Sequence, residues 1–268
     1  MSRTALGKKS EWDKRVERAG DLAKRFAYAN EILTFYREVL KLQHSIYAEI
    51  SAQPVASAEA GTPLRERLNV DQVARYFPVL LALAEEKGPA KLAGEAREVR
   101  ATSDDHQRQM LREFVAGDRR PHMFFARALL QPYAEFLAGR YPALPAGAGP
   151  SICPRCGARP QNAVLRPEGD GGKRFLLCSL CLTEWEFRRI LCAVCGEEDY
   201  QKLPRYTAEE HNSVRVEACD TCHFYLKSID MTIDGLAVPL VDEVASVPLD
   251  LWAAEHGYKK AEPNLMGF

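Results

Sequence analysis

The sequence predicts a multidomain α+β protein: an N-terminal all-α helical bundle followed by two tandem rubredoxin-like or zinc-ribbon β modules. Three observations predict it. Apolar residues recur at helical spacing up to about residue 140. The stretch Pro142–Pro150, PALPAGAGP, then has the composition of a linker. All eight cysteines follow it, in four Cys-x-x-Cys pairs among short β-like segments. The expected divisions are residues 1–148, 149–190 and 191–268, the last ending in a helical extension.

The helical part is read in order. Residues 11–51 read as helical, with Ile32, Tyr36, Val39, Leu40, Gln43, Ile46, Tyr47 and Ile50 at three- and four-residue steps and Asn30 as an N-cap. Residues 52–63 are small and polar, with proline and glycine, and predict a loop. Asp71 is expected to cap a segment running to Lys87, which Pro78 must kink or split. Lys91–Arg100 and Asp104–Ala116 read as two more helices, with Gly117 as a stop. Pro121 is expected to open the last helix of the bundle, whose apolar stripe includes Phe124, Leu129, Tyr133, Phe136 and Leu137 and which Pro132 should bend.

In the second part, Val164-Leu165 and Phe175–Leu177 flank PEGDGG and predict a hairpin with a glycine-rich tip. Trp185, Phe187 and Leu191 alternate with polar residues as a strand leaving one cysteine unit for the next. Val214 and Val216 begin another strand, and Phe224–Met231 a further one that His223 is expected to open. Leu249–His256 reads as a short helix stopped by Gly257.

The cysteines carry the chemistry. CPRC (Cys153, Cys156) and CAVC (Cys192, Cys195) are each followed by glycine, whereas CSLC (Cys178, Cys181) and CDTC (Cys219, Cys222) are not. A unit of CxxC, a gap of 21 or 23 residues that opens with glycine, and a second CxxC therefore occurs twice. Two thiolates two residues apart grip one side of a soft metal ion, and a second pair closes the tetrahedron. This assigns Cys153, Cys156, Cys178 and Cys181 to one metal site and Cys192, Cys195, Cys219 and Cys222 to another. Structural disulfides are not expected, because the start, MSRTALGKKSEWDKR, shows no apolar stretch of a signal peptide, and the expected compartment is the cytoplasm. Haem attachment at Cys219–His223 would leave the second unit without its closing pair, and the ferredoxin spacing is absent.

Catalysis is not expected. The cysteines are committed to metal, the six histidines are scattered, and neither a P-loop nor a dinucleotide fingerprint occurs. No catalytic and no partner-contact residue is singled out. Membrane insertion is not expected, because no apolar stretch approaches the length of a span. Residues 1–149 hold 23 Lys and Arg against 19 Asp and Glu, while residues 150–268 hold 13 against 18. An acidic cysteine half argues against the alternative of a nucleic-acid-binding zinc ribbon protein. The basic doublets Lys8-Lys9 and Arg119-Arg120 read as solvated surface. The opposite charge of the halves suggests a partner cleft between them. Four buried thiolates per ion are expected, which predicts slow release and argues against metal delivery.

Several strings extend the argument beyond spacing. RFLLCSLCLTEW and RRILCAVCG, CDTCHFYLKSID, and the terminal LDLWAAEHGYKKAEPNLMGF with Trp252, Glu255, Gly257-Tyr258 and Asn264-Leu265 resemble the formate dehydrogenase accessory family FdhE. FFARALLQPYAE in the helical half is similar to that family's last helix. The resemblance implies a non-enzymatic cytoplasmic maturation factor whose partner is the catalytic subunit of a formate dehydrogenase. It also implies two mononuclear iron ions in the four-cysteine sites; a tetrahedral S4 donor set accepts zinc equally well, so zinc is the alternative. Whether the metal is redox-active, and whether the chain forms a homo-oligomer, stay open at this stage.

Overall fold

Seven helices precede a seven-stranded sheet in the computed structural model, which describes residues 9–54, 62–117, 123–141 and 151–268. The Pro142–Pro150 linker, residues 55–61 of the expected loop, Arg119-Arg120, Lys8, Pro121 and His122 lie outside the described residues.

Helix α1 (Glu11–Arg25) starts at a reciprocal cap: Ser10 Oγ accepts from Asp13 N and the Asp13 carboxylate accepts from Ser10 N, both at 3.1 Å. The chain does not stay helical through residue 51. Phe26 adopts an extended conformation (φ −113°, ψ 96°), a short 3₁₀ turn follows, and α2 spans Asn30–Ser51. Asn30 is not the N-cap, since Ala29 holds that position; the Asn30 amide instead donates back to the Ala23 carbonyl at 3.0 Å, closing the corner between the two helices. Pro78 splits its segment into α3 (Asp71–Ala74) and α4 (Phe77–Lys87), where it occupies the first turn and needs no N–H partner. Asp71 is the first residue of α3, and Asn69 Oδ1 accepts from its amide. Helices α5 (Ala90–Arg100) and α6 (Asp104–Ala116) follow, and Gly117 ends α6 at φ 95°, a left-handed conformation that suits glycine.

The central helix is α7 (Met123–Arg140), buried on nearly all sides from Phe125 to Ala138. It runs on through Pro132. Proline cannot donate to the Ala128 carbonyl, and Gln43 Nε2 from α2 donates to it instead at 2.9 Å.

The sheet comprises β1 (Pro160–Glu168), β2 (Gly171–Cys178), β3 (Glu184–Glu186), β4 (Arg205–Thr207), β5 (Val214–Ala218), β6 (Phe224–Asp230) and β7 (Lys259–Lys260). Each cysteine unit contributes an antiparallel set, β3-β2-β1 and β6-β5-β4. A parallel pairing of Ala163, Val164 and Leu165 with Ser228, Ile229 and Asp230 joins the sets into one sheet. Helices α8 (Pro239–Ala245) and α9 (Val247–Glu255) return over it, and β7 extends the β1 side of β6.

Bundle and sheet share one core. Leu33, Phe35, Leu40, Phe125 and Leu129 belong to the same apolar cluster as Val164, Leu177, Leu240, Val241 and Leu265. Where the sequence suggested a cleft between the halves, the halves are joined by packing and by ion pairs such as Arg18 with Asp234 and Asp242. A groove of about 710 Å³ lies beside this seam, between α1 and residues 235–239, lined by Lys9, Lys14, Arg166 and Leu236 among others. No helix among the described residues is long and apolar enough to cross a membrane.

Candidate metal centres

Each pair of cysteines sits in a tight knuckle; those of Cys178 and Cys219 close β2 and β5, that of Cys153 precedes β1, and that of Cys192 lies in the connection from β3 to β4. In all four knuckles the amide of the first cysteine donates to the carbonyl five residues on: Cys153 to Ala158, Cys178 to Thr183, Cys192 to Glu197 and Cys219 to Phe224, at 2.8–3.0 Å. The residue after the second cysteine is left-handed in every case. Gly157 (φ 68°) and Gly196 (φ 79°) take this conformation without strain. Leu182 (φ 55°) and His223 (φ 59°) take it too, so His223 is the turn residue of its knuckle and not the first residue of β6. The absence of glycine there did not signal a different backbone path.

The structure brings the eight cysteines together in the two groups expected from spacing, and within each group the sulfurs all lie within 4.8 Å of one another. The Sγ–Sγ distances are 3.5 Å for Cys153–Cys181, 3.3 Å for Cys156–Cys178, 3.8 Å for Cys192–Cys222 and 3.7 Å for Cys195–Cys219. A disulfide would need about 2.0 Å. A tetrahedral ion with metal–sulfur bonds of about 2.3 Å requires edges of about 3.8 Å.

Proton energetics favour the same occupant. In the first group Cys153 is pulled down because Cys156, Cys178 and Cys181 hydrogen-bond to it. Cys178 is pushed up by burial and then by the three neighbouring sulfurs, and Cys156 is pushed up chiefly by its bond to Cys153. Four thiolates packed this closely would repel one another and require a cation between them. In the second group burial raises Cys219 and Cys222, while the amides of Cys195 and Val194 pull Cys192 down against its burial.

The surroundings differ. The first group belongs to the main core, with Cys153, Cys156, Cys178 and Cys181 all buried. Its sulfurs receive the amides of Arg155, Leu180 and Cys181 at 3.4–3.5 Å, and Thr183 Oγ1 lies 3.2 Å from Cys181 Sγ. The knuckle carbonyl of Ser179 accepts from Arg127 Nε (3.1 Å) and Gln131 Nε2 (3.0 Å), both on α7. Arg127 also donates to the Pro263 carbonyl and to Gln161. The second group has Cys192 and Cys219 buried, Cys222 half-buried and Cys195 exposed. Four buried thiolates therefore describe only the first group. Arg127 and Gln131 lay unrecognised in an apolar helix; their signal was two polar side chains four residues apart within Phe124–Leu130 and the turn that follows, where the other residues up to Pro132 are apolar.

His223 places its ring 6.3 Å from that of Tyr258, and His256 stacks on Trp252 at 4.1 Å. His211 lies against Tyr28 and Phe26, and His44 stacks on Trp12. None of the described histidines joins either cysteine group.

Comparison with known proteins gives a consistent result. A family model described as "FdhE, central domain" matches residues 152–189, and one described as "FdhE, C-terminal domain" matches residues 190–266. A protein named FdhE homolog from Aquifex aeolicus is 29% identical over 97% of each chain. One from Pseudomonas putida is 31% identical over 74% of this chain and 68% of its own. The crystal structure of the FdhE protein from Pseudomonas aeruginosa superposes with a TM-score of 0.71, at 25% identity and 97% coverage of both chains.

Proposed function

Because the chain belongs to the FdhE family, whose proteins are accessory and non-catalytic, we propose that it assists formation of active formate dehydrogenase by binding the catalytic subunit of that enzyme. In this reading Cys153, Cys156, Cys178 and Cys181 hold one metal ion, and Cys192, Cys195, Cys219 and Cys222 hold a second. The carrying observation is the pair of four-sulfur groups, each with two edges between 3.3 and 3.8 Å and every sulfur within 4.8 Å of the others, close to the edge of about 3.8 Å that a tetrahedral thiolate site needs. Iron is the ion we assign to each, with zinc as the alternative the same donors accept. When bound, such an ion supplies a closed cross-link, and iron also a one-electron couple. The protein's own residues do the rest: the knuckle amides stabilise sulfur charge, and α7 holds the first site against the bundle through Arg127 and Gln131. Residues 1–148, 149–190 and 191–268 would then act as bundle, first metal module and second metal module, expected to work in the cytoplasm.

The test uses a cell lacking its own FdhE and a tagged formate dehydrogenase catalytic subunit. The intact chain should co-purify with that subunit, restore enzyme activity and carry two metal atoms by native mass spectrometry. A chain with two metal atoms that neither co-purifies nor restores activity would overturn the partner assignment. A metal-free chain that does both would overturn the metal assignment.

A further inference from the structure

The two cysteine groups are alike in spacing and unlike in access. Around the first, Cys153, Cys156, Cys178 and Cys181 are 1%, 3%, 0% and 1% exposed. Leu180 and Ala158 sit in the core beside them, Trp185 and Leu182 pack against it, and α7 clamps the Ser179 carbonyl. Arg155, from the other knuckle, bonds the Tyr141 carbonyl at the end of α7, and its own carbonyl accepts from Leu64. Around the second group the apolar wall is one-sided. Ala193, inside one knuckle, and Leu226 of β6 are buried in a small apolar cluster, while Cys195 is exposed and Cys222 half-buried, and these two come from opposite knuckles. The polar residues beside that edge bond one another rather than cover it: Thr221 Oγ1 donates to Glu197 at 2.6 Å and Tyr258 Oη donates to Asp220 at 2.6 Å.

We propose that the second site is the exchangeable one, opening at its Cys195–Cys222 edge to a soft external ligand such as a thiolate or chelator, whereas the first site is loaded once and kept. The step is a ligand substitution without redox change. An incoming thiolate forms a metal–sulfur bond as the bond to Cys195 Sγ breaks, and the released Cys195 thiolate takes a proton from water. The same attack on the first site must wait for α7 to part from the knuckle, an opening of the shared core. This inference rests on the reading that both groups bind metal, and it says which of them can pass its ion on.

The full-length chain, loaded with zinc so that no redox change intrudes, is challenged with excess EDTA and sampled by native mass spectrometry. Short pulses of iodoacetamide mark cysteines as they become free. The expected result is two phases differing by at least about tenfold in rate, the spread that local and core openings produce, with Cys195 and Cys222 labelled in the fast phase. Arg127→Met should speed the slow phase and leave the fast one unchanged. Release of two zinc ions at one common rate, or first labelling at Cys153, Cys156, Cys178 or Cys181, overturns this inference and leaves the metal reading intact. Failure to bind two zinc ions overturns both.

Discussion

Gln43 on α2 supplies the hydrogen bond that Pro132 withholds from Ala128 on α7. The same amide lies 3.2 Å from Gln131 Oε1, and Gln131 in turn donates to the Ser179 carbonyl between two cysteines of the first site. A defect in a buried helix is thus filled by a side chain that also leads to the metal centre. Gln43→Leu should cost about 1–3 kcal/mol, the penalty of orphaning a buried carbonyl. Pro132→Ala restores the backbone donor, so Gln43→Leu should cost less in that background than in the wild type. Urea midpoints of the four proteins in the cycle check this; an equal cost of Gln43→Leu in both backgrounds would show that the bond does not matter.

The four knuckles offer a second test, because two use glycine and two do not. A Cβ added at Gly157 or Gly196 meets nothing within 4 Å, so alanine there should cost about 1 kcal/mol from the left-handed backbone alone. His223→Gly should return about the same amount, since His223 stands at φ 59°. Leu182→Gly should not, because Leu182 packs against the main core and its side chain offsets the strain. Thermal unfolding of the metal-loaded variants separates the cases.

Local signals carried much of this molecule. Cysteine spacing identified both sulfur groups, and apolar periodicity found α2, α5, α6 and α7. What stayed hidden depends on contacts between distant residues. The β1–β6 pairing joins Ala163–Leu165 to Ser228–Asp230, and nothing in either strand names its neighbour. Helix α8 escaped because every residue from Leu240 to Ala245, including Asp242 and Glu243, is buried, which erases the polar face that marks a surface helix. A lysine is rarely buried without a partner, yet Lys227 is fully buried, 2.6 Å from Asp250 and 3.2 Å from Glu243, with Lys260 beside them. The difference in exposure between the two sites had no trace in their near-equal spacing, because the packing of the bundle creates it.

Acid should loosen the seam between bundle and sheet at one residue. His211 Nε2 lies 2.6 Å from Tyr28 Oη, which donates to the Ala245 carbonyl at 3.1 Å. Burial holds the His211 imidazole below its ordinary 6.5, helped by Lys227 and Arg25 and opposed by Glu210. The unfolded chain therefore takes up this proton first. The contribution to stability is complete above 6.5 and falls as pH drops toward the depressed folded value. Urea midpoints at about pH 7.5 and 5.5 should differ more in the wild type than in His211→Gln. An equal difference in both would assign the acid sensitivity elsewhere.

The two cysteine groups, if each holds a metal ion as proposed, should also differ in what their loss does to the helices. Cys178 belongs to the same core as Phe125 and Leu129, whereas none of Cys192, Cys195, Cys219 and Cys222 belongs to it. Structural metal in small thiolate modules is worth about 10–16 kcal/mol, so removing one ligand should empty or weaken either site. Cys178→Ser then leaves up to four polar or charged sulfur and oxygen atoms inside the bundle's core, where burial is costly. Its helical circular dichroism should melt at a lower temperature than the wild type. Cys222→Ser leaves Cys195 open to water and places its two buried thiols, Cys192 and Cys219, outside the bundle's core, so its helical signal should melt close to the wild-type temperature although one metal is lost or weakly held. Each variant's metal content by native mass spectrometry ties the melting shift to a site. Equal destabilisation of the helices by both changes would mean that the second site, too, supports the bundle.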